Sequence, residues 1–68
     1  MAREVALNGR KYWILSEPQG ESWKAKVVEV GQGDELEELG IDATAETRVA
    51  ADDAAEGKLR RLLRDLTP

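Results

Sequence analysis

Asn8-Gly9 limits more than any other feature what this chain can fold into. The pair lies between Glu4-Val5-Ala6-Leu7 and Arg10-Lys11-Tyr12-Trp13-Ile14-Leu15. Asn and Gly accept the positive φ angles of a two-residue type I′ turn, whose twist matches that of paired strands. The chain is therefore expected to open with a β-hairpin in which Leu7 faces Arg10 and Val5 faces Tyr12. Side chains alternate along a strand, so Val5, Leu7, Tyr12 and Ile14 share one face and Ala6, Lys11, Trp13 and Leu15 the other. The first set makes the better core.

Pro18-Gln19-Gly20 marks a second turn, Pro presetting φ and Gly accepting the left-handed conformation. A three-residue loop would turn Lys24 and Lys26 into the core, and burying two lysines is costly. A four-residue loop over 18–21 is expected instead. It sets Ile14 opposite Ala25, Tyr12 opposite Val27 and Ser16 opposite Trp23. Gly31-Gln32-Gly33-Asp34 ends that strand, and residues 39–46 alternate apolar and polar as a half-buried fourth strand does. Keeping Leu39, Ile41 and Ala43 inward needs a bulge or longer loop near Glu37-Glu38. A rival local pattern has Asp34 capping a helical turn that Gly40 closes.

After Thr47 the period changes. Ala51, Ala55, Leu59, Leu62, Leu63 and Leu66 form a stripe at three- and four-residue spacing, with Thr47 as N-cap. Asp52, Asp53 and Glu56 precede Lys58, Arg60, Arg61 and Arg64, an order that suits the helix dipole. Gly57, mid-helix, points to a close approach to the sheet or a bend.

The fold expected is α+β: an antiparallel three- to four-stranded meander (β-β-β-β-α) with one C-terminal helix packed across one face. Residues 1–68 form a single domain, with strands at about 3–8, 10–17, 22–30 and 38–46 and a helix at about 48–66. A chain of 68 residues buries only about 60% of the surface its unfolded form exposes, so self-association would help it. It has no Cys, hence no disulfide framework, and no apolar segment of secretory or membrane-spanning length; a cytoplasmic location is expected.

Chemistry is narrowed by what is missing. Without His or Cys the commonest general base, the thiol nucleophile and the best transition-metal ligands are gone, and Ser16 and Ser22 have no relay partner. Carboxylates remain. Asp52, Asp53 and Glu56, or Asp34, Glu35, Glu37 and Glu38, offer hard-cation ligands, yet neither set has the alternating order of a calcium loop. Gly31-Gln32-Gly33 lacks the Lys-Ser/Thr of a phosphate loop and is followed by acids. No enzymatic activity, cofactor or metal is expected. The net charge of −4 is segregated: residues 29–56 carry ten acids against Arg48 alone, while both ends of the chain are basic. That arrangement leaves nucleic acid open as a ligand.

The informative surface is the sheet face turned away from the helix. It is expected to carry Lys11, Trp13, Leu15, Lys24, Lys26 and Val28, with Val30 beside them. A solvated face should be polar, and an apolar group among lysines signals an interface. The reading is a non-enzymatic interaction module that pairs with itself, or with another small protein, around Trp13. The alternative is a nucleic-acid-binding or antitoxin-like accessory protein, with bases stacking on Trp13 and phosphates drawn to the lysines. Tyr12 and Trp23 belong to the core.

One resemblance can be attached to these residues. Tyr12-Trp13-Ile14-Leu15, Pro18-Gln19-Gly20 and Trp23-Lys24-Ala25-Lys26-Val27, followed by a strand and the helix from Thr47, resemble the aromatic-led strand pair and helix of HicB-type antitoxin domains. The likeness spans roughly residues 10–66. It implies a small dimerising sheet-plus-helix module and, in that family, a protein that neutralises an RNase. The Gly31–Leu36 segment departs from the family's short Pro-rich loop, and the strand at Val5–Leu7 is additional. Double-stranded-RNA-binding domains share the strand-strand-strand-helix order, but lysines open their last helix where this chain has Asp52 and Asp53.

Overall fold

A computed structural model describes residues 2–66, with side chains through residue 65. Four strands, β1 (Ala2–Leu7), β2 (Arg10–Gln19), β3 (Ser22–Val30) and β4 (Leu36–Ala45), form one antiparallel sheet in the order β1-β2-β3-β4. Helix α1 (Arg48–Leu66) packs against all four strands from one side. The α+β meander expected from the sequence is the fold. Among the described residues no helix is long and apolar enough to cross a membrane.

The first hairpin forms as its turn chemistry dictates. Asn8 and Gly9 take φ of 55° and 77°, and Leu7 pairs with Arg10 and Val5 with Tyr12. The second turn differs from expectation. Gln19 pairs with Ser22, so the loop is Gly20-Glu21 alone, with Gly20 at φ 63°. Ile14 consequently faces Val27, Ser16 faces Ala25 and Tyr12 faces Glu29. Pro18, read as a turn residue, lies inside β2. The strand tolerates it because β1 stops at Ala2 opposite Leu15, leaving no β1 neighbour at Pro18 to miss its N–H. The register moved by two residues, and an even shift keeps every side chain on its expected face.

The third connection is a loop over 31–35, closed by the Gly31 N–H donating to the Glu35 carbonyl at 2.8 Å and the Asp34 N–H to the Gly31 carbonyl at 3.1 Å. Asp34 takes φ 62° and does not cap a helix; the strand begins two residues on, at Leu36. The bulge sits slightly past the expected place. Val27 pairs with Ile41 but Val28 with Glu38, so Leu39 and Gly40 are extra, Gly40 at φ 72°. Two inserted residues again preserve the faces, and Leu39, Ile41 and Ala43 all point to the core.

The core consists of Val5, Tyr12, Ile14, Ala25, Val27 and Ala43 under Ala51, Ala55 and Leu59 of α1, with Leu7, Trp23, Leu39, Ile41, Ala45 and Leu63 around it. Alanines on both layers let the helix ride close to the sheet. Thr47 caps α1: its Oγ1 accepts from the Ala50 N–H at 3.1 Å, and its carbonyl from the Ala51 N–H at 3.0 Å.

Three helix expectations need correction. Leu62 is 38% exposed at the β4 rim, because the stripe that meets the sheet is Ala51, Ala55, Leu59 and Leu63; Leu66 falls beyond the described side chains. Gly57 faces open space, so it serves no close approach. The acids lie past the first helical turn, where the dipole is weak. Asp53 and Glu56 instead grip Arg3 of β1 at 2.8 and 3.2 Å, while Lys58 on the other flank donates to the Asp42 carbonyl of β4 at 2.7 Å. The helix is tied to both edges of the sheet.

Candidate functional site: the helix-free sheet face

Strand pairing places the residues of the outer face in four rows. The first runs Glu17, Lys24, Thr44; the second Ala2, Leu15, Lys26, Asp42. The third is Glu4, Trp13, Val28, Glu38, and the fourth Ala6, Lys11, Val30, Leu36. All six residues singled out in the sequence, Lys11, Trp13, Leu15, Lys24, Lys26 and Val28, thus lie together on the face without a helix. None belongs to the core cluster beneath α1.

Their exposure is uneven, and Val28 is the informative case. It is only 2% exposed, although no element among the described residues covers its side of the sheet. Directly opposite it stands Trp13, half-buried like Leu15, Val30 and Lys24. The shielding of Val28 therefore comes from its neighbours on the same face, foremost the indole. Beyond this cluster, Leu36 is 51% exposed and extends the apolar area to the β4 edge.

Four acids not singled out for this surface in the sequence lie on the same face. Glu4, Glu17, Glu38 and Asp42 share the face with the three lysines, so it is nearly balanced in charge. Alternation implied their side of the sheet, since Glu17 follows Leu15 by two, Glu4 precedes the inward Val5, and Glu38 and Asp42 flank the inward Leu39 and Ile41; register decided only their rows. Lys26 Nζ meets Glu38 Oε1 at 3.1 Å, diagonally across the bulge. Glu17 and Lys24 stand directly opposite each other yet form no ion pair among the described residues, and Lys11, Glu4 and the Asp42 carboxylate have none either.

Where Gly40 breaks the regular pairing, a groove of about 460 Å³ opens between β2 and β4, with Leu15, Lys24, Lys26, Glu38 and Asp42 on its walls. Charges of both signs rim it. The acids that the sequence offered as cation ligands are not gathered: among the described residues no group of three His, Cys, Asp or Glu could hold a metal ion. Asp52 is 7% exposed at the helix–sheet boundary, its Oδ1 without a hydrogen-bond partner; Ser16 Oγ is likewise buried and unpartnered.

The class these features define is a two-layer α+β domain with one face closed by a helix and the other left open, apolar at its centre and mixed in charge around it. Comparison with protein-family models, curated proteins and solved structures finds no match to the chain.

Proposed function

We propose that the protein is a non-enzymatic interaction module that pairs with itself through the open sheet face, Trp13 being the central anchor. The observation that carries this reading is the apolar cluster of Trp13, Leu15, Val28, Val30 and Leu36 on a face that no element among the described residues covers. The molecule extends 37 × 27 Å in its two longer dimensions, an outline of the same order as the roughly 800 Å² that a stable interface takes from each partner.

Its charge favours a protein partner of similar composition over nucleic acid. Four carboxylates accompany three lysines, so a phosphate chain laid over Trp13 would meet at least as much repulsion as attraction. The antitoxin-like reading ranks below self-association for want of any feature of the chain that addresses an RNase. An enzymatic role lacks support in the acids, since Asp53 and Glu56 are engaged by Arg3.

Sedimentation equilibrium provides the test. The unmutated chain is expected to dimerise in the micromolar range, and Trp13→Asp to give a monomer with unchanged far-ultraviolet circular dichroism. A wild-type chain that stays monomeric at high micromolar concentration would overturn the proposal.

A further inference from the structure

Resting on that reading of the face, we infer the arrangement of the pair: two sheets stacked with strands aligned, related by a two-fold axis that lies between them, parallel to the strands and above the β2–β3 boundary. In such a pair Glu17 of each copy meets Lys24 of the other.

Face-to-face stacking of identical sheets requires the two-fold axis to lie in the interface plane, and the rows of the outer face discriminate between its directions. An axis parallel to the strands exchanges β2 with β3 and β1 with β4 while keeping each row in place. Trp13 then lies over Val28 of the second copy, a side chain already shielded within its own subunit, Ala6 covers Leu36, and Glu17 meets Lys24. Large side chains meet small ones, and the 51% exposed Leu36 gains a cover. Lys11 and Lys26 come over Val30 and Leu15, where their aliphatic stems pack while the ammonium groups reach the rim. Against this axis, Glu4 comes over Glu38, which already has Lys26 at 3.1 Å, and Asp42 comes over Ala2 at the edge.

An axis across the strands does worse. Placed between the second and third rows, it opposes Glu17 with Lys11 and lays Leu15 on Trp13, but it stacks Asp42 on Glu38 and leaves Lys24 over Val30; placed through the third row, it sets Glu4 on Glu4, Glu38 on Glu38 and Asp42 on Leu36. Of these axes, only the strand-parallel one brings Lys24 against an acid of the second copy. Aligned sheets cross at about −30°, an offset that the long Glu17 and Lys24 side chains can span.

The pairing also accounts for the state of Glu17 and Lys24 in the single subunit. They are cross-strand neighbours with opposite charges, yet no ion pair links them. In the stacked pair each has a partner in a less hydrated setting, where charge complementarity fixes register and selects the partner.

A charge-exchange experiment tests the arrangement. Glu17→Lys sets an introduced ammonium group against Lys24 in both copies, and Lys24→Glu sets acid against acid. Each variant alone is expected to dimerise roughly tenfold or more weakly than the unmutated chain. An equimolar mixture of the two restores opposite charges at both contacts, so it should recover association as a heterodimer, seen by sedimentation with one variant labelled. Circular dichroism checks that both variants are folded. If neither substitution weakens association, or if both do and the mixture fails to recover it, the strand-aligned arrangement is wrong. Should Trp13→Asp abolish association in that same series, the face remains the interface and only the arrangement falls. Should Trp13→Asp leave association intact, the face itself is refuted.

Discussion

Gly57 sits on the exposed side of α1, where an added Cβ would have nothing within 4 Å. Glycine in a helix interior loses more backbone entropy on folding than alanine and packs nothing in return. Gly57→Ala is expected to stabilise the protein by about 0.5–1 kcal/mol, read as a higher urea midpoint with an unchanged slope; a lower midpoint would show that the glycine meets a conformational need. Trp13 and Val28 illustrate the opposite case, in which a residue matters for what it shields rather than for its own burial. Arg3 acts through charge. Its hydrogen bond to Asp53 raises its pKa, so the stability it adds, which needs its carboxylate partners charged, is lost as pH rises through arginine's own range.

Among the elements, the cap and the edges decide how α1 sits. Thr47 satisfies a donor that the first turn would otherwise leave to water. Thr47→Ala should cost about 1 kcal/mol, measured by urea unfolding followed by circular dichroism of the helix, with no change in the oligomer. The sheet edges are managed differently. On β4, Gly40 interrupts the pairing pattern and Lys58 occupies the Asp42 carbonyl, both devices that discourage a further strand from adding there. Much of this was legible in the sequence: the Asn8-Gly9 turn, the change of period at Thr47, its cap, and the need for a bulge in β4. The side of the helix that faces down was less so, because 3.6-residue periodicity defines a stripe only to within one residue on each flank. Here Asp52 fell inside and Leu62 outside.

For the molecule as a whole, a two-layer architecture protects one side of the sheet only. Among the described residues no second helix covers Trp13, Leu15 and Val30, and in the proposed pair a second copy would supply that layer. Folding and association are then linked. The urea midpoint should rise with protein concentration over the micromolar range for the unmutated chain and be independent of it for Trp13→Asp; equal behaviour of the two would separate folding from pairing.

The order of amino acids alone settled parity. Alternation in β2 and β3, together with the cost of burying Lys24 and Lys26, fixed which side chains turn toward the helix, and each departure from the expected pairing was an even one. Register was decided only in the folded molecule. A pattern of period two is blind to a shift of two residues, so it cannot choose between a four-residue loop and Gly20-Glu21, or place the extra Leu39-Gly40. Those choices depend on backbone hydrogen bonding between strands and on packing beneath α1. They are also what set Glu17 opposite Lys24 and placed Glu38 and Asp42 in the rows of Trp13 and Leu15.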